Sequence, residues 1–99
     1  MQILKEYKYT SGGVWQLVKY DDDFFAYGST LDINSFLGVS VDQCGTRGYL
    51  LEHCCSILEL CKDYLETYRK NKCDILVKDE SENIEMLENF ISILKSLEI

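Results

Sequence analysis

The spacing of apolar positions changes once along this chain. In the first third they alternate or run in short aromatic and β-branched blocks, which predicts strands. After residue 48 they recur at steps of three and four, which predicts helices. Residues 3–10 alternate imperfectly, with Ile3, Tyr7 and Tyr9 expected on one face and Lys8 and Thr10 on the other. Ser11, Gly12 and Gly13 supply a turn, because glycine tolerates the positive φ of tight hairpins. Residues 14–20 (VWQLVKY) suit a pleated surface. Asp21, Asp22 and Asp23 form a second turn, and residues 24–28 (FFAYG) a third strand. The expectation for this part is a three-stranded meander.

A short helix follows, capped by Ser29 or Thr30, closed by Gly38, and apolar at Leu31, Ile33, Phe36 and Leu37. Residues 39–48 (VSVDQCGTRG) read as irregular or briefly extended. Over residues 49–70, the series Leu51, Cys54, Leu58, Cys61, Leu65 and Tyr68 makes a helical seam, widened by Leu50, Ile57 and Tyr64. Lys62–Glu66 and Glu66–Lys70 stand four apart and suit surface pairs, and Asn71 is a candidate cap. Residues 73–77 (CDILV) read as a fourth strand. A last helix is expected from Asp79 or Ser81 almost to Ile99, with Asp79 and Glu82 at capping-box spacing and Ile84, Leu87, Phe90, Ile91, Leu94 and Leu97 buried. The pattern predicts one α+β domain over residues 1–99. In it, a three- to four-stranded antiparallel sheet packs against a long helix and a C-terminal helix.

Composition narrows the function. Ninety-nine residues suit one core, and 46% hydrophobic residues place the chain among globular proteins. Seventeen Asp and Glu against ten Lys and Arg give a net charge of −7, which argues against binding nucleic acid or an anionic membrane directly. The charge is uneven. Residues 21–42 hold five Asp and no base, and residues 79–99 hold six acids and one Lys. An acidic surface of this kind selects a basic partner and speeds encounter with it. The start Met1-Gln2-Ile3-Leu4-Lys5-Glu6 has no signal-peptide pattern, and no apolar run approaches a membrane span, so a cytoplasmic location is expected. Five cysteines are an odd number, and three of them crowd one helix, which fits reduced thiols better than a disulfide framework.

Candidate chemistry is sparse. His53, Cys54, Cys55 and Cys61 suggest a metal, but adjacent helical residues diverge by about 100° and no C-x-x-C pair is present, so no metal site is assigned. Cys44 precedes a helix, where a thiol is activated, yet no oxyanion hole or third group accompanies it and His53, so no catalytic residue is assigned. Asp21–Asp23 lack the spaced ligands of a calcium loop. Tyr7, Tyr9, Trp15, Tyr20, Phe24, Phe25 and Tyr27 lack the interleaved bases of a nucleic-acid platform.

Gln43-Cys44-Gly45-Thr46-Arg47-Gly48, followed by a long helix, resembles the pyrophosphate-binding loop of GNAT acetyltransferases. The family pattern runs Gln or Arg, two residues, Gly, one residue, then Gly or Ala. Here Gln43 is two before Gly45, and Arg47 takes the place of the last small residue. The resemblance covers residues 36–95 and implies a coenzyme A-dependent acyltransferase whose helix-start N–H groups hold phosphate.

The leading expectation is a non-enzymatic binding protein without cofactor. In size and charge it resembles small acidic inhibitors such as anti-CRISPR proteins, toxin-immunity proteins and nucleic-acid mimics. Its partner would be a basic nucleic-acid-processing enzyme, blocked by steric and electrostatic occlusion. The partner-binding residues expected are Asp21, Asp22, Asp23, Asp32 and Asp42, with Glu80, Glu82, Glu85 and Glu88 second. The GNAT-like acyltransferase is one alternative, and a homodimeric interaction module using the widened helix stripe is another.

Overall fold

The computed structural model describes residues 2–29 and 40–97. Among these it is an α+β protein with a four-stranded antiparallel sheet followed by two helices. The strands are β1 (Gln2–Lys8), β2 (Val14–Asp21), β3 (Phe24–Ser29) and β4 (Ser40–Gly45). They pair in sequence order. The helices are α1 (Arg47–Lys70) and α2 (Asp74–Ser96). The chain divides into two compact units, Met1–Leu50 and Leu51–Ile99.

In the first unit, β1 and β2 are joined by a tight turn in which Gly12 donates to the Tyr9 carbonyl at 2.9 Å, with φ of 100° at Gly12. A side chain there would be strained, which is why the Gly pair marks this turn. Each ladder carries one bulge, where a single residue has no counterpart on the neighbouring strand: Leu4, Tyr20 and Asp42. The Leu4 bulge explains the imperfect alternation of β1. Ile3 lies opposite Val18 and Tyr7 opposite Trp15, so Ile3 and Tyr7 face opposite sides of the sheet, not the same side.

The central strands are buried on both faces. Leu17, Phe25 and Tyr27 are enclosed on one face, and Gln16, Val18 and Ala26 on the other. Buried Gln16 is accommodated by its cross-strand neighbour, donating its side-chain N–H to Glu6 Oε1 at 2.6 Å. On the opposite face Trp15 and Tyr27 lie with ring centroids 5.9 Å apart, and Lys19 Nζ stands 5.9 Å from the Phe25 centroid.

The fourth strand is residues 40–45, not 73–77. The segment read as irregular or briefly extended pairs with β3 from Ser29–Ser40 to Phe25–Gly45. Its residues Ser, Asp, Gln and Gly carry no apolar alternation, so backbone pairing at the sheet edge decides the outcome. The short helix expected over residues 29–38 lies outside the described residues, apart from Ser29, which ends β3.

The second unit is a helical hairpin. Leu50 (at the end of the first unit), Cys54 and Cys61 are the buried positions of α1, while Leu51, Leu58 and Leu65 are only half-buried. On α2 the buried set is Glu82, Met86, Leu87, Phe90, Ile91 and Leu94. The two helices come together at the Cys61–Glu80 contact and at a groove lined by Leu58, Glu88, Ile91, Ser92 and Lys95. Glu66 pairs with Lys70 at 3.5 Å, as its spacing suggests, but Lys62 turns to Glu59 at 3.7 Å instead of Glu66. These exposed pairs contribute little to stability.

α1 ends in a Schellman turn. The Cys73 N–H reaches the Tyr68 carbonyl at 3.0 Å and the Lys72 N–H the Arg69 carbonyl at 3.2 Å. Asn71 stands at the helix boundary, and Lys72 takes the left-handed conformation with φ of 55°. This turn corrects the start of the last helix. α2 begins at Asp74, five residues ahead of Asp79, and absorbs the CDILV run. Cys73 precedes it without a side-chain capping bond. Ser81 lies inside α2, its hydroxyl donating back to the Val77 carbonyl at 2.7 Å. The acids from Asp79 to Glu88 therefore sit beyond the first turn, and Asp79 and Glu82 do not form a capping box at the helix start.

A lysine in the left-handed region is held there by the turn, at a cost glycine avoids. Lys72→Gly is expected to stabilise the protein by about 0.5–1 kcal/mol. The check is a higher urea midpoint at unchanged slope, and a lower midpoint would contradict this account of the turn.

Candidate functional site

The junction between β4 and α1 is the most constrained part of the first unit. Extended backbone becomes helix across one residue, Thr46. Gly45 has φ of 157°, and a Cβ placed on it would lie 2.5 Å from Tyr49 Cδ2, so the aromatic ring closes over a position that only glycine can occupy without a shift. Thr46 is the N-cap. Its hydroxyl accepts the Tyr49 N–H at 3.2 Å, and its carbonyl accepts the Leu50 N–H at 2.9 Å. The Arg47 N–H is taken by Asp23 Oδ1 at 3.0 Å, from the turn between β2 and β3.

Asp23 therefore has a structural task that the sequence reading missed. It was grouped with Asp21 and Asp22 as a partner-facing acid, yet its carboxylate caps α1 across 24 positions of chain. No local spacing announces such a bond. The same contact bears on the GNAT resemblance. The N–H groups of Arg47 and Tyr49, which would cradle a pyrophosphate, already have partners, and one of those partners is an anion. Gln43, Cys44 and Gly45 lie in β4 and not in a loop.

The remaining acids fall into two sets. In the first unit, Asp21, Asp22 and Asp42 are exposed, Asp42 at the bulge of the edge strand β4. Asp21 Oδ1 accepts the Asp22 N–H at 2.8 Å, which shapes the turn and leaves its other oxygen outward. Beside them Tyr20 and Phe24 bring their rings to 5.9 Å, with Phe24 44% exposed. An open cleft lined by Gln2, Lys19, Tyr20, Asp21 and Asp22 adjoins the turn. Asp32 lies outside the described residues.

In the second unit the four glutamates do not share one environment. Glu85 and Glu88 are exposed on α2, but Glu82 is only 9% exposed. Glu80 is half-buried and accepts a hydrogen bond from the Cys61 thiol. Helical periodicity separates them: buried Glu82 shares the inner side of α2 with Met86 and Phe90, at steps of four.

The cysteines are all free thiols. Burial pushes the Cys54 thiol up to about 12, helped by Cys55, and burial together with the Glu80 carboxylate pushes Cys61 up to about 12. Cys44 is exposed on β4. Among the described residues no group of three or more His, Cys, Asp or Glu side chains is placed to hold a metal ion. Likewise, no described helix is long and apolar enough to cross a membrane. No protein-family model, curated protein or solved structure matches the chain.

Two outcomes follow from these bonds. Asp23→Ala is expected to destabilise the fold by about 1 kcal/mol through loss of a helix cap, read from urea unfolding, whereas Asp22→Ala should leave stability within about 0.5 kcal/mol. Equal effects would show that Asp23 caps nothing. For the thiols, Cys54 and Cys61 titrate higher folded than unfolded, so the unfolded chain ionises first. Their contribution to stability is full below pH 9 and is lost as pH rises from 9 towards 12. The urea midpoint should therefore fall between pH 8 and pH 10.5 less in a Cys54→Ala/Cys61→Ala protein than in the parent.

Proposed function

We propose that this protein is a small acidic binding protein that blocks a basic, nucleic-acid-handling partner by occupying its surface, in the cytoplasm of the producing cell or of a phage host. The observation that carries this reading is the trio Asp21, Asp22 and Asp42. These are three exposed carboxylates of the first unit, Asp21 at the end of β2, Asp22 in the turn that follows and Asp42 in β4, in a stretch of 22 residues without a Lys or Arg. The exposed Phe24 beside Tyr20 adds an apolar anchor within the acidic rim, the composition of a protein interface and not of a merely solvated turn. Carboxylates set this way attract Lys and Arg at a distance and fix register on contact.

Asp23 leaves the binding set because it caps α1, and Glu82 leaves it because it is buried. Glu85 and Glu88 remain as a second acidic patch on α2. The acyltransferase alternative is weakened by the carboxylate at the helix start and is not carried forward.

The test is capture from lysate with immobilised protein, comparing the parent with an Asp21→Lys/Asp22→Lys variant that spares the capping Asp23. The parent should retain a basic protein whose binding weakens as salt rises, and the variant should lose it by about tenfold or more. Equal capture by both proteins, without salt dependence, would exclude electrostatic occlusion.

A further inference from the structure

The turn that carries Asp21 and Asp22 is not a self-sufficient hairpin loop. Asp21 pairs with Phe24 across it, so Asp22 and Asp23 are the whole of the loop. Two-residue loops favour mirror-image turns, which need positive φ and match the twist of the strands they join. Among the described residues Lys72 alone of the non-glycines has positive φ, so Asp22 and Asp23 both have negative φ. An ordinary turn of that kind tends to splay its strands, and here the ladder is bulged at Tyr20, directly before the loop.

Two side-chain bonds hold this loop. Asp21 Oδ1 accepts the Asp22 N–H at 2.8 Å, inside the turn. Asp23 Oδ1 accepts the Arg47 N–H at 3.0 Å, outside it. Only the second ties the loop to a regular element, the first turn of α1, which Thr46 caps from its own side. All of these residues belong to the first unit.

We infer that Asp23 is a positioning residue: anchored on the start of α1, it fixes the β2–β3 loop in the one shape that presents Asp21, Asp22 and Phe24 together. The bond that caps the helix is equally a clamp on the loop, because coupling between two elements is reciprocal. Groups already fixed lose less freedom on binding. Under the occlusion reading, on which this last step rests, the clamp governs how long a basic partner stays. How often the partner arrives follows charge instead.

Amide hydrogen exchange of the full chain, read residue by residue by NMR, tests the clamp. Residues 21–25 should exchange about fivefold faster in Asp23→Ala than in the parent. Asp23→Asn keeps an acceptor oxygen and removes the charge, and should stay within about twofold of the parent. Thr46→Ala leaves Asp23 intact and weakens only the helix start, yet it should also speed exchange of residues 21–25. The Tyr9 and Gly12 amides, bonded within the other turn of the sheet, should keep the parent rate throughout, which separates a local loosening from a general loss of stability.

Binding supplies a second readout. The basic protein that the parent retains from lysate should leave Asp23→Ala about fivefold faster than Asp23→Asn, although both variants have lost the same charge. Four results would each overturn the positioning role: unchanged exchange in Asp23→Ala, Asp23→Asn behaving as Asp23→Ala, a loop indifferent to Thr46→Ala, or equal dissociation from the two Asp23 variants. A parent that retains no basic protein refutes the occlusion reading instead, and the exchange rates still decide on the clamp.

Discussion

The join at Gly45-Thr46-Arg47 is the constraint on which the rest of the architecture depends. A strand must end in register with β3 and a helix must begin at once, with no loop to absorb an error in direction. Three groups make this possible together. Gly45 permits the close approach of Tyr49, Thr46 caps the first turn, and Asp23 reaches over from the neighbouring hairpin to take the Arg47 N–H. Because the last bond spans two strands, the helix start is fixed only once the β2–β3 hairpin has formed.

The two units solve burial differently. The sheet relies on large side chains directly opposite one another, with Leu17 against Tyr27 and Val18 against Ala26, each nearly or wholly withdrawn from solvent. The hairpin places small cysteines at Cys54 and Cys61 and larger Phe90, Leu87 and Leu94 on the partner helix. Burial raises the pKa of the Cys54 and Cys61 thiols, so these two cysteines pack as small hydrophobes.

The elements with strong periodicity were legible in the sequence. The three-strand meander, the turn at Gly12, and the long helix with its seam were all readable, because each rests on local pattern. Phe90, Ile91 and Leu94 on the last helix belong with them. What escaped was decided by backbone or by distant contacts. β4 has no apolar alternation to mark it, since an edge strand needs only backbone partners. CDILV is rich in β-branched residues, yet five residues are too few to distinguish strand from helix, and the Schellman turn at Lys72 settles it. Met86 and Glu82 stand four and eight positions before Phe90 on the inner side of α2, where spacing outweighs the charge of Glu82. Of the candidate site, Asp21, Asp22 and Asp42 could be found as a charge run. The separate task of Asp23 depends on a residue 24 positions away and leaves no local trace.

The bulges at Leu4, Tyr20 and Asp42 have a consequence for the protein at high concentration. Two of them interrupt β1 and β4, the outermost strands among the described residues. A regular edge is a template on which another extended chain can add and stack indefinitely. A bulged edge spoils the even spacing that such stacking needs, and Asp42 places a charge at the break. Bulges and an edge charge are the devices by which sheet proteins discourage such pairing.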